Sequence, residues 1–181
     1  MAHAPAPSDP KFDPHFAAIG RLVDRWAHLE HQIDLAIWAT AHVEQMFGAC
    51  ITAQLIGVNG RLRALRALLE LHGASEASLK KLGAFATAIY PLQIKRNRAA
   101  HDPRMVSSAT QALDRLELTA ANSLVFDFQP EDAGKLQSIS DEIGSQITAF
   151  RSLFGQILNE IKLIARNISA ATSANSSHEA G

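Results

Sequence analysis

The chain has 181 residues, with 17 Lys+Arg against 18 Asp+Glu, 47% hydrophobic residues and one Cys. This length fits one domain with a sizeable core, and a lone Cys excludes an internal disulfide framework and an all-Cys zinc site. Ala (31) and Leu (20) dominate while aromatics are only 6%, a composition that excludes an all-β fold. No apolar run approaches the ~18 residues of a membrane span, and the opening MAHAPAPSDPKFDP lacks the hydrophobic stretch of a secretory signal. A cytoplasmic protein with no membrane partner is expected.

Residues 1–14 carry Pro5, Pro7, Pro10 and Pro14 and read as a flexible, extended arm. The packed body is expected over 15–168, and 169–181 (SAATSANSSHEAG) reads as a disordered tail. A first helix is expected from about Pro14 to Met46, because Phe16, Ile19, Leu22/Val23, Trp26, Leu29, Ile33 and Ile37 recur at helical spacing. A second helical region spans about Ile51 to His72, interruptible at Gly57 and Gly60 and stopped at Gly73. Ser75 is a good N-cap for a third helix carrying Leu79, Leu82, Phe85 and Ile89 inward. Pro91 predicts a kink or restart within it.

From 105 to 128 the period changes to two. LDRLELTA and NSLVFDF alternate around Ala121-Asn122-Ser123, which predicts a short β-hairpin. Pro130-Glu131-Asp132 then opens a last helix, whose apolar positions run from Leu136 to about Ile168. The expected architecture is all-α: an up-and-down bundle of four to five helices with a small β-hairpin inserted before the last long one.

The net charge of −1 hides an asymmetry. Residues 61–104 hold nine basic and three acidic residues, a net of +6, against −7 for the rest. Phosphate binding follows local potential rather than net charge, although basic residues are also ordinary on solvated helix faces. Within this segment lies Arg96-Asn97-Arg98-Ala99-Ala100-His101. Asn97 and His101 share a helix face at i, i+4, and Arg96 lies roughly 140° from His101 at ~100° per residue. Ala99 and Ala100 leave room for another helix to approach.

This stretch resembles the Arg-x4-6-His hallmark of the HEPN superfamily (higher eukaryote and prokaryote nucleotide-binding domains). The first helix adds Trp26-Ala27-His28-Leu29-Glu30-His31-Gln32-Ile33-Asp34, similar to the W-x-x-L-E first helix of several bacterial HEPN families. The helix RLRALRALLEL precedes the motif helix, so the resemblance covers about 15–105. It implies a homodimer whose two motifs form one composite, metal-independent endoribonuclease site. There the RNA 2′-hydroxyl attacks its own phosphate, leaving a 2′,3′-cyclic phosphate and a 5′-hydroxyl. Toxin or phage-defence roles, the former with an antitoxin partner, occur in this family. So do catalytically inert dimeric bundles that bind a protein or a nucleotide.

The residue types suit that chemistry. Histidine titrates near neutrality and serves as acid or base, so two copies of His101 can divide the proton transfers. Arg96 presents a permanently charged fork of donors to the anionic transition state, and Asn97 can orient His101 or bind phosphate. Glu30 lies on the apolar stripe, where a buried carboxylate needs a partner, and it is expected either to orient Arg96 or His101 or to touch water at the edge of the stripe. Lys95, Arg98 and Arg104 are the RNA-contact candidates. No metal or other cofactor is expected. Each reading has a structural counterpart: His101 as a helix C-terminal cation, Arg96 in an ion pair with Glu30, and His28 and His31 as exposed residues rather than a ligand pair.

Overall fold

The computed structural model describes residues 3–5, 9–119 and 124–178, with side chains over 9–119 and 124–164. In chain order it comprises β1 (His3–Pro5), a 3-10 turn (Pro10–Phe12), α1 (Asp13–Ala41), α2 (Gln45–Thr52), α3 (Gly57–Leu71) and α4 (Glu76–His101). These are followed by β2 (Arg104–Ser107), β3 (Leu113–Thr119), β4 (Val125–Pro130) and α5 (Ala133–His178). The fold is mostly helical, with a β-hairpin ahead of the last long helix, as expected. Two compact units divide it. One holds Met1–Leu29 and Ala88–Gln146, the other Glu30–Thr87 and Ile147–Gly181.

In the first unit the buried stripe of α1 is His15, Ala18, Leu22, Trp26 and Leu29, spaced three and four residues apart. It is offset from expectation at its start: Phe16 is 43% exposed and His15 takes the buried place. Ile89, Leu92 and Ala99 of α4, Leu113 of β3, and Leu136 and Ile143 of α5 are buried as well. Each of these Leu and Ile side chains contributes about 1.5–3 kcal/mol on burial. The sheet is larger than a hairpin. Its order is β1-β2-β3-β4, all antiparallel. β3 and β4 pair from Thr119↔Val125 to Asp114↔Pro130, and Met105 of β2 faces Asp114. The Ala121–Ser123 turn lies outside the described residues. So do residues 1, 2 and 6–8 of the proline-rich arm, within which His3–Pro5 forms a strand against β2.

α4 does not restart at Pro91; the helix runs through it to His101. Pro91 is exposed and, having no N–H, forgoes one backbone hydrogen bond of the helix. Asp132 caps α5, accepting from the backbone N–H of Gly134 and Lys135. The helical backbone of α5 continues through His178, beyond 168 and into the segment read as a tail. Three alanines between 169 and 178 are compatible with that helix.

In the second unit α1 ends earlier than expected, at Ala41. His42 adopts a left-handed φ of 54°, a conformation that reverses the chain at a helix end. His72 Nε2 donates to the Thr40 carbonyl at 2.8 Å, satisfying a carbonyl the finished helix leaves free. The expected second region is two helices. Gly57, with φ 65°, separates α2 from α3, and Gly73, with φ 81°, stops α3. The Ser75 hydroxyl accepts from the Ser78 N–H, which makes Ser75 the cap of α4. Glu160 accepts from the Ser78 hydroxyl and from the Ser75 N–H. These bonds, the Ser78 one foremost, hold its carboxyl below the ordinary value. Val58, Leu62, Leu65 and Leu69 of α3 are buried, as are Ile33, Ile37 and Trp38 of α1 and Phe150 of α5.

α2 is held against α1 at one point. Trp38 Nε1 donates to Thr52 Oγ1 at 3.2 Å. A Cβ on Gly48 would sit 2.5 Å from the Trp38 ring, so only glycine permits this approach. Gly48→Ala is expected to lower stability by about 1–3 kcal/mol and to alter tryptophan fluorescence. A urea midpoint equal to that of the wild type would contradict this packing.

Candidate functional site at the end of the fourth helix

The last turns of α4 carry five of the expected residues, Lys95, Arg96, Asn97, Arg98 and His101. Asn97 and His101 are exposed, and Arg96 is half-buried. Arg96 Nη1 donates to Asn97 Oδ1 at 3.0 Å, whereas Arg96 Nε is buried without a hydrogen-bond partner among the described residues. A buried donor left unmatched costs about 1–3 kcal/mol. Asn97 therefore orients one edge of the guanidinium, while Nε is left unmatched. His101 forms no hydrogen bond or ion pair among the described residues.

Lys95 and Arg98 lie on the adjoining face of α4 and line a cleft of about 190 Å³ together with Arg115, Gln129, Glu131 and Lys135. Lys95 Nζ is 3.9 Å from Glu142, and Arg98 is 2.7 Å from Glu117. Arg104 differs from its expected role. Its side chain is 6% exposed and bonds Glu131 through Nε (3.0 Å) and Nη2 (2.6 Å), while Nη1 donates to the Asp102 carbonyl. It is a buried ion-pair partner, placed by its position at the start of β2. Glu30 is half-buried, belongs to the other compact unit, and forms no hydrogen bond or ion pair among the described residues.

Beneath the cleft lies a cluster centred on Glu131, in the link between β4 and α5. His15 Nε2 donates to it at 3.1 Å, Arg104 grips the same oxygen, and Arg115 Nε approaches the other oxygen at 3.4 Å. Arg115 also reaches Asp102 and, at 3.3 Å, Glu117. Burial alone would raise the Glu131 pKa. The hydrogen bonds from His15 and Arg104, with their charges, outweigh it and hold the carboxyl below its ordinary value. This cluster is not apparent from spacing. His15 lies one residue from the apolar Phe16, and Glu131 resembles any first-turn acid. The one usable signal was His15 at i, i+3 from Ala18.

His28 pairs loosely with Asp24 (3.7 Å), and His31 stacks edge-on against Trp38. Among the described residues no group of three or more His, Cys, Asp or Glu is arranged to hold a metal, and no helix is long and apolar enough to cross a membrane. No protein-family model, curated protein or solved structure matches this chain.

Glu131→Gln is expected to destabilise the protein by roughly 3–5 kcal/mol near neutral pH, since it leaves buried cations short of a partner. The sign with pH follows from the lowered pKa. The stabilisation is fully present above the unfolded carboxyl value of about 4.3 and is lost as pH falls through the lower native value. Urea unfolding from pH 6 to pH 3 should show wild type and variant converging on acidification. A gap that stays constant would contradict the assignment.

Proposed function

We propose that the protein is a metal-independent endoribonuclease of the HEPN type, acting in the cytoplasm as a homodimer with a composite Arg/His site. One observation carries the reading. Of the four arginines between residues 96 and 115, Arg98, Arg104 and Arg115 are each matched to a carboxylate, whereas Arg96 is bonded only to the neutral Asn97. Its charge has no carboxylate partner among the described residues, on the same last turns of α4 as the exposed His101, and a free guanidinium is suited to an anionic phosphate. Lys135, which has no ion pair among the described residues, and the loosely held Lys95 add positive potential at the adjoining cleft.

In the proposed reaction one His101 takes the proton of the RNA 2′-hydroxyl as O2′ bonds to phosphorus. The His101 of the second copy gives a proton to O5′ as the P–O5′ bond breaks. Arg96 stabilises the charge of the phosphorane, and Asn97 keeps the guanidinium in place. Arg104 is assigned a positioning role through Glu131 rather than an RNA contact. A toxin or phage-defence effector, with an antitoxin partner in the first case, fits this activity.

A second reading is favoured by the ion pairs of Arg98 and Arg104, which remove two expected RNA contacts: an inert HEPN-like dimer that binds a protein or a nucleotide. The activity test separates them. Wild-type protein in EDTA should cleave single-stranded RNA to 2′,3′-cyclic phosphate ends. His101→Ala and Arg96→Ala should each lower the rate by at least about 100-fold with unchanged circular dichroism. Equal cleavage by wild type and both variants overturns the ribonuclease assignment, and no cleavage by the wild type favours the inert module.

A further inference from the structure

The second unit carries an apolar face that is not covered by the described residues. Between the end of α1, α2 and α3 lies a groove of about 480 Å³, and every residue lining it is apolar, including Ile37, Trp38, Ile51, Leu55, Leu68 and Leu71. Ile51 is 51% and Leu71 80% exposed, and Phe47, one turn before Ile51 on α2, is 66% exposed. Contiguous apolar surface of this kind marks an interaction site. Small-molecule pockets of similar volume add a few placed polar groups that orient the ligand. None lines this groove, which points to the apolar surface of another protein.

The charges beside the groove bear on which protein that is. Arg63 and Glu70 are exposed on α3 and have no ion-pair partner among the described residues. Seven residues apart, they stand two turns or roughly 10 Å from each other, nearly in line, too far to pair within one helix. Ala64, Ala67 and Leu71, which line the groove, run alongside them. Arg66, the other cation here, is turned toward α4, where its Nη1 donates to the Leu79 carbonyl at 3.1 Å. If two α3 helices meet antiparallel about a two-fold axis near Ala67, Arg63 of each copy faces Glu70 of the other. A parallel pairing would set like charges together. A two-fold interface requires this self-complementarity.

We propose that the α2–α3 face is the docking surface for a second copy of this chain, with α3 antiparallel to its counterpart and Arg63 matched to Glu70 across the axis. The ribonuclease reading also requires a homodimer, and what separates the two is the response of mass to the α3 charges, which only this proposal predicts. In analytical ultracentrifugation the wild type should be a multimer of the single chain. Arg63→Glu alone and Glu70→Arg alone should each halve that mass, and the double variant R63E/E70R should restore it. Leu71→Asp should halve it as well. Both charges and Leu71 are exposed, so circular dichroism should not change. A wild type of single-chain mass, single variants with unchanged mass, or a double variant that stays dissociated would each overturn the proposal. Loss of cleavage in His101→Ala leaves it standing.

Discussion

A carboxylate withdrawn from water must be met by positive or hydrogen-bonding groups, or its desolvation opposes folding by several kcal/mol. Glu131 is such a group. Its side chain is 10% exposed, and the groups that meet it come from three separate places: His15 at the start of α1, Arg104 on β2 and Arg115 on β3. Asp102 and Glu117 extend the cluster through Arg115 to Arg98 on α4. The first unit is thereby fastened across long sequence separations, and the end of α4, where the Arg–Asn–His stretch lies, is tied to the sheet through Arg98.

The same cluster changes what the charge of the chain means. Residues 61–104 carry a net of +6 by sequence, but several of those cations are matched in the fold. Arg61 bonds Asp34 at 2.8 Å, Arg98 bonds Glu117 and Arg104 bonds Glu131. What remains uncompensated is narrower and more informative. Among the described residues Arg63, Arg66, Lys81 and Arg96 have no ion pair, Arg66 and Arg96 being bonded to neutral groups. Local potential thus depends on which acids the fold brings to which bases, not on a count along the chain.

The second unit poses the complementary question for apolar groups. Its α3 buries Val58, Leu62, Leu65 and Leu69 on one face yet presents Ala64, Ala67 and Leu71 to a groove open to solvent. A helix with apolar residues over more than one face is covered on more than one side. One cover is the chain's own core, and the α2–α3 groove is the side proposed above for association. Gly48 serves that groove indirectly, by letting α2 close onto Trp38.

Helix existence, the caps at Ser75 and Gly73, the hairpin strands and the placing of Arg96, Asn97 and His101 on one helix end were all legible from sequence, because each depends on residues within a few turns of one another. The left-handed His42, the uninterrupted passage through Pro91 and the enlargement of the hairpin into a four-stranded sheet were not. Each turns on what solvent exposure or a distant strand supplies. The exchange of Phe16 for His15 on the buried stripe shows the reason most clearly. Periodicity ranks positions by hydrophobicity, and only the tertiary fold, by carrying Glu131 to the start of α1 from 116 residues away, makes a histidine the better buried residue. Local spacing therefore decided which residues could share a helix face, whereas the pairing of buried charges, a long-range balance of desolvation against attraction, decided which of them remain free to act.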